Sequence, residues 1–481
     1  MQEANEYLKI VTKSDLPDSF YSSRRLSSSL DTVSGIVEQV RLHGDQAVHE
    51  YASRFDKADP DTFELPAEAL KDAEIKLQHE APELYSALIR SRDLALTFAV
   101  RQKESFSDFE TMLSPGMVTG QRIIPVQRAG VYVPAGRFPL FSSVIMGSAP
   151  AQAAGVEEII LCTPPIPHPG GGQSGNRQSG NRQSGNRQSG GQSGGQSGGQ
   201  SGDGPPWGDE KILAVASLCG INRVFAIGGA QAIAAMAYGT ESVPAVNVIV
   251  GPGNRFVSAA KKLVYGDVGI DMLAGPTEVM IIADASAQPA WVAADLLAQA
   301  EHDPDAQAVL LVSDSGLAQR VQAEINALVS SLPPDAAART SLSRNSYIIL
   351  IDSWDDAVEI ANRKAPEHLE LALDAGEIRD MLEKRLRNYG SLFIGHRSAE
   401  ILGDYTAGLN HTLPTCGSAS FTGGLSVRHF LKTVTTLRSC SDLSGSDADI
   451  SGWKASLHAA EIIARAEGLE GHALAARCRL D

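Results

Sequence analysis

Cysteine is scarce in this 481-residue chain: Cys162, Cys219, Cys416, Cys440 and Cys478 are far apart, odd in number and form no C-x-x-C pair. That excludes a disulfide framework and a cysteine zinc site, and fits a reducing, cytoplasmic setting. Long apolar runs are missing too. No stretch reaches the ~18 residues a membrane helix needs. Met1 to Asp15 mixes Glu, Lys and Asp, so no secretory leader is expected there. Basic excess is also lacking. Lys and Arg number 41 against 57 Asp and Glu, and the net charge of −16 argues against a nucleic-acid or anionic-membrane partner. Outside one glycine-rich repeat there is no G-x-S-x-G, H-E-x-x-H or P-loop, which removes the commonest hydrolases and NTPases.

Glycine is the opposite case, with 45 residues, 14 of them between Gly170 and Gly204. That tract is three copies of Gln-Ser-Gly-Asn-Arg and three of Gln-Ser-Gly-Gly with short flanks. It cannot bury apolar area, so its composition predicts disorder. It falls between a strand ending at Cys162 and a helix starting near Asp209, a βα connection where insertions are tolerated. Three arginines in the tract make too weak a field for a binding arm. The rest is an ordinary acidic globular chain, and its length is a soft prior for about three domains.

Apolar residues at Val33, Ile36, Val37, Val40, Ala47, Val48 and Tyr51 predict an amphipathic helix over 33–55, broken near Gly44. A second helical region spans 67–104. From Ile123 onward, short apolar β-branched runs alternate with helices. The strand candidates are 130–133, 158–162, 224–227, 246–250, 279–282, 308–312, 347–351 and 391–394. Continuous apolar strands alternating with helices predict parallel sheets covered on both faces, and glycine-rich breaks near 251–254 and 274–277 divide them into two α/β units. The tail from Ser441 returns to helix, with Ile462, Ile463, Ala466 and Leu469 on one side.

Several segments carry candidate chemistry. Gln299 and His302 lie one turn apart at a helix end, beside Glu301 and Asp303. His302 is either a metal ligand or an imidazolium favoured by the helix C-terminus. Glu367-His368 follows Pro366, and reads either as an acid–base pair at a helix start or as a plain surface helix. Asp404, Asn410 and His411 sit in a glycine-rich loop, where both site chemistry and turn chemistry are at home. His472, near the C-terminus, has the look of a helix-end residue. Gly228-Gly229-Ala230-Gln231 and Gly251-Pro252-Gly253-Asn254 each join a strand to a helix and suit anion binding at a helix N-terminus, or are plain tight turns. Neither is a G-x-G-x-x-G, so neither carries the standard dinucleotide fingerprint.

Taken together, residues 228–244 (GGAQAIAAMAYGTESVP), 251–254 (GPGN), 270–279 (IDMLAGPTEV), 296–305 (LLAQAEHDPD), 365–369 (APEHL) and 403–415 (GDYTAGLNHTLPT) closely resemble the histidinol dehydrogenase family. The likeness runs in order from about Val33 to the end, interrupted only by the repeat. It implies an α/β fold of two Rossmann-like parallel-sheet domains without the standard fingerprint, plus a small helical C-terminal dimerisation tail. The implied division is an arm over 1–30, a discontinuous catalytic domain (31–131 and 275–425), an NAD-binding domain (132–274) carrying the insert 170–204, and the tail (426–481). It further implies a zinc-dependent, NAD-linked oxidation of a primary alcohol to an acid, which in the family takes L-histidinol through a bound aldehyde to L-histidine.

Residue by residue, the resemblance implies zinc ligands at Gln299, His302, Asp404 and His472, one Zn2+ per subunit, and the acid–base pair Glu367 and His368. Substrate contacts are implied at Thr277, His411 and Glu467, together with Gln299, His302, His368, Asp404 and His472. Tyr132, Gln231 and Asn254 match positions that meet NAD. The implied assembly is a cytoplasmic homodimer with shared active sites, in which His472 completes the partner's zinc site. Two departures stand out. The repeat is foreign to the family pattern, and 423–434 (GGLSVRHFLKTV) is similar to relatives that oxidise other small alcohols such as sulfopropanediol. A non-catalytic scaffold of the same fold is a third reading, opposed by the intact Glu367, His368 and ligand set.

Overall fold

A computed structural model describes residues 7–21, 30–58, 62–135, 139–166, 208–439 and 445–480. The insert 170–204 and Cys440 lie outside them. The strands are β1 (Lys9–Thr12), β2 (Phe109–Ser114), β3 (Met117–Pro125), β4 (Arg128–Tyr132), β5 (Glu158–Thr163), β6 (Arg223–Ala226), β7 (Val248–Val250), β8 (Gly269–Ile270), β9 (Glu278–Ala283), β10 (Gln307–Val312), β11 (Tyr347–Leu350), β12 (His368–Ala372), β13 (Ser391–Ile394) and β14 (Leu431–Ser439).

They form two parallel sheets and one antiparallel sheet. The five-stranded sheet has the order β6-β5-β4-β7-β8, and the six-stranded sheet the order β1-β11-β10-β9-β12-β13. Leaving β1 aside, both follow the same doubly wound pattern, in which the first strand of each unit (β4, β9) lies between the second and the fourth. All six residues of β9 (EVMIIA) and of β10 (QAVLLV) are buried, as expected for strands covered on both faces. Val279, Ile281 and Leu310 join one core, while Met280, Ile282 and Leu311 join the core on the opposite face. Cys162, Cys219 and Cys478 are free thiols, and no helix among the described residues is long and apolar enough to cross a membrane.

The break at Gly44 is present: Gly44, at φ +54°, separates the helices Leu30–His43 and Asp45–Tyr51. The expected helix over 67–104 is two helices, Ala67–Glu80 and Pro82–Lys103, because Pro82 suits a first helical position and not an interior one.

Three expectations are corrected. Residues 31–131 do not accompany 275–425: Val33, Val37 and Val40 share a core with Ile233 and Val257, and Leu77, Leu88 and Ala95 share one with Ile145 and Ile212. These helices cover the five-stranded sheet. Their apolar stripe shows which face is buried but not against what. The segment 1–30 is more than an arm, because β1 pairs parallel with β11 in the register Lys9↔Tyr347. The tail 426–481 is not wholly helical: β14 pairs antiparallel with β3, which also pairs with β2, before the helices Asp447–Ala466 and Glu470–Arg477.

Candidate active site

The amino-terminal ends of β9 and β12 lie side by side, with His368 opposite Val279. This register brings Thr277, Glu278, Glu367 and His368 together. The Pro366-Glu367-His368 segment is therefore a strand start and not a helix start. It follows the helix Trp354–Lys364, which ends on Ala365 in the left-handed region, φ +50°.

Glu278 is the hub. Its backbone N–H donates to Glu367 Oε2 (2.9 Å), and its carbonyl accepts from His368 Nδ1 (3.2 Å). Thr277 Oγ1 donates to the same Glu367 oxygen (2.5 Å). A carbonyl can only accept, so Nδ1 carries a hydrogen, and whenever the ring is neutral its lone pair is on Nε2. Nε2 is buried without a hydrogen-bond partner and faces Asp404 Oδ1 at 3.6 Å. Burial pushes Glu367 up to about 7 against the pull of His368. Burial alone would lower His368, but Glu400, Glu367 and Asp404 together raise it well above its ordinary value.

Gln299 is buried in the last turn of the helix Pro289–Ala300. Its amide oxygen accepts from the Glu278 N–H (3.0 Å), its nitrogen donates to Glu400, and it touches the Thr277 hydroxyl. His302 follows that helix, exposed at the mouth of a cleft of about 480 Å³ that also involves Phe141 and Tyr405. Burial would raise Asp404, but His368, and more distantly His411 and His302, hold it below the ordinary carboxylate range. His411 donates from Nδ1 to the Asp404 carbonyl (3.1 Å) and meets Ser143 Oγ at 3.4 Å.

Glu400 was not anticipated. It is buried, sits 3.7 Å from His368 Nδ1 and is pushed up to about 8 by burial. It lies one helical turn before Asp404 in Glu400–Tyr405, a spacing that places two acids on one face and was readable as such. Ligand atoms of His368, Glu400 and Asp404 lie within 4.8 Å of one another. A buried acidic cluster with an unpartnered imidazole nitrogen suits a cation. The structure thus gathers Asp404 and Gln299 at this point with His302 near them. His472 and Glu467 are exposed on the C-terminal helices and do not join the cluster within this chain.

The three expected cofactor residues cluster at the other sheet. Tyr132 ends β4, Gly251–Asn254 follow β7, and Gly228–Gln231 follow β6. Several N–H groups of these turns have partners within the chain. Gly228 N–H donates to Asp56 Oδ2 (3.1 Å) and Gly229 N–H to the Tyr132 hydroxyl (3.0 Å). Asn254 Oδ1 accepts from Phe256 N (2.9 Å) and Val257 N (3.2 Å). Two first-turn N–H groups of the helix Arg255–Val264 are thus capped by Asn254. Gln231 is buried, and its Nε2 donates to Asp56 (3.0 Å).

A family model described as "Histidinol dehydrogenase" matches residues 21–173 and 204–480. "Histidinol dehydrogenase" of Thermus thermophilus is 42% identical over 443 residues, covering 92% of both chains. The protein of the same name from Aromatoleum aromaticum is 41% identical over 451 residues, covering 93% of this chain and 90% of that one. Among solved structures, histidinol dehydrogenase from Elizabethkingia anophelis superposes with a TM-score of 0.81 at 30% identity, covering 99% of each chain.

Proposed function

The chain belongs to the histidinol dehydrogenase family, and from that premise we propose that it oxidises L-histidinol to L-histidine in two NAD-linked steps at a zinc-bearing site. The observation that carries the mechanism is the placement of Glu367 and His368 on the backbone of Glu278, next to Asp404.

Gln299, His302 and Asp404 of one chain, with His472 of a second copy, would hold the metal. Two imidazoles, a carboxylate and an amide leave the ion a net positive charge. Zinc, when bound, supplies a Lewis acid that fixes and polarises the amino alcohol. Tyr132, Gln231 and Asn254 would hold NAD+, which would supply the hydride acceptor for both the alcohol and the aldehyde-hydrate oxidations. His368 Nε2 takes the hydroxyl proton in each oxidation, its ring held by the Glu278 carbonyl. Glu367, fixed by Thr277 and the Glu278 N–H, takes a proton from the water that adds to the aldehyde. Thr277 and His411, with Glu467 of the second copy, would seat the substrate.

A shared site is supported by what the C-terminal region leaves uncovered. Leu113 (77% exposed), Leu437 (69%) and Ile462 (67%) are exposed apolar side chains on β2, β14 and the helix Asp447–Ala466, as contacts with a second subunit would require. Purified protein supplied with zinc, NAD+ and histidinol should yield two NADH per histidine. No NADH, or NADH with sulfopropanediol alone, overturns the assignment.

A further inference from the structure

One buried ion pair lies directly behind the acid–base residues. Lys364 Nζ donates to Glu278 Oε1 at 2.7 Å, and the side chains of Lys364 and Glu278 are only 7% and 8% exposed. The other carboxylate oxygen of Glu278 has no hydrogen-bond partner and is buried. Glu278 is also the residue whose N–H and C=O hold Glu367 and His368. The segment 364–368 therefore grips one residue three times: Lys364 on its side chain, Glu367 on its N–H and His368 on its carbonyl.

The chain path makes the first grip matter to the other two. Lys364 closes its helix, Ala365 turns through the left-handed region at φ +50°, and Pro366 fixes the next backbone angle. Only two residues, Ala365 and Pro366, separate Lys364 from Glu367 in the chain. Lys364 Nζ also lies 5.8 Å from the centre of the Phe20 ring, which limits where it can go. A buried lysine with a single carboxylate partner and little freedom fixes that partner's position. Here the partner's backbone is the template for the dyad.

We propose that Lys364 is a positioning residue, which acts through the Glu278 side chain to hold the start of β9 where its N–H and C=O set the geometry of Glu367 and His368. The inference rests on the reading of that pair as the acid and base. Misplacing a catalytic group by about 1 Å costs up to ~100-fold in rate, so loss of the pair should lower kcat and leave substrate binding nearly unchanged.

The test compares Lys364→Met, Lys364→Arg and the double variant Lys364→Met/Glu278→Gln, assayed with zinc, NAD+ and histidinol and melted without substrate. Lys364→Met strands a buried carboxylate and tests folding as well as geometry. The double variant removes both charges, which is often nearly neutral for stability. The expected result is a double variant that melts within a few degrees of wild type, with kcat down about 10- to 100-fold and KM for histidinol and NAD+ within about twofold. Lys364→Arg should recover most of the rate lost in Lys364→Met. A double variant with wild-type kcat, or equal losses in Lys364→Arg and Lys364→Met, overturns the proposal. His368→Asn separates the two levels of inference. If it keeps full turnover, the acid–base reading fails; if it is inactive while the double variant is fully active, only the role of Lys364 fails.

Discussion

The two parallel sheets share a strand order but carry their candidate site residues at opposite ends. In the five-stranded sheet, Tyr132, Gln231 and Asn254 sit at or beyond the carboxyl ends of β4, β6 and β7, where doubly wound folds ordinarily bind ligands. In the six-stranded sheet, Thr277 and Glu278 precede or open β9, and Glu367 and His368 precede or open β12, at the same seam between first and fourth strands but at its amino ends. The difference follows from what each end offers. Carboxyl ends lead into helix N-termini and turns, which suit recognition of a ligand. Amino ends begin with backbone N–H and C=O groups not yet committed to the ladder, and Glu278 spends both on the proposed acid–base pair. Topology locates a crevice at each seam, and the residues at each edge decide which is used.

This division of labour predicts that edits at the amino edge of the six-stranded sheet affect chemistry, while edits at the carboxyl edge of the other affect cofactor binding. The largest effect belongs to His368→Asn, which should cut turnover about 10²- to 10⁴-fold, with NAD+ affinity by calorimetry unchanged. A parallel loss of NAD+ affinity would erase the distinction between the edges. Stripping the metal with a chelator should abolish turnover, leave NAD+ binding intact and be reversed by added zinc. Failure of zinc to restore the rate would argue against a metal at Asp404.

Glu367→Gln should spare the first oxidation and slow the second by about 10²-fold, so aldehyde accumulates in a trapping assay. The carboxyl group must be ionised to accept a proton, and its pKa is pushed up to about 7. The second step should therefore rise with pH through about 7 in the wild type and lose that limb in the variant. The smallest effect is expected at the carboxyl edge. Asn254→Ala removes the cap of the helix Arg255–Val264, costing about 1 kcal/mol of stability. It should weaken NAD+ binding severalfold with kcat little changed. A kcat loss as large as that of Glu367→Gln would show that the two edges are not separable.

How much of this was legible in the sequence depends on how far each segment speaks for itself. EVMIIA and QAVLLV announce buried parallel strands because every position is covered. HLELA in β12 does not, because Glu370 interrupts the apolar run although it too is buried. LKTVTTLRS in β14 does not announce itself either, because its apolar residues Leu431, Val434 and Leu437 recur every third position, although burial alternates over 433–437. The partner of the helices over 30–103 was not readable, since an amphipathic stripe carries no address. In the site, spacing joined Gln299 to His302, while the link to Glu367, His368 and Asp404 came from family resemblance. Glu400 has no motif of its own, and only its spacing of four from Asp404 on one helix marks it.

The pairing of β1 with β11 also sets a clock for biosynthesis. Lys9 emerges from the ribosome 338 positions before its partner Tyr347. At roughly 5–20 residues per second, β1 waits about 20 to 70 s for the strand it joins. During that interval all five strands of the other parallel sheet, and the helices 30–103 that cover it, are already synthesised. The unit of the five-stranded sheet can therefore fold first, as an insertion within the unit of the six-stranded sheet, which has β1 before it and its remaining strands after residue 277.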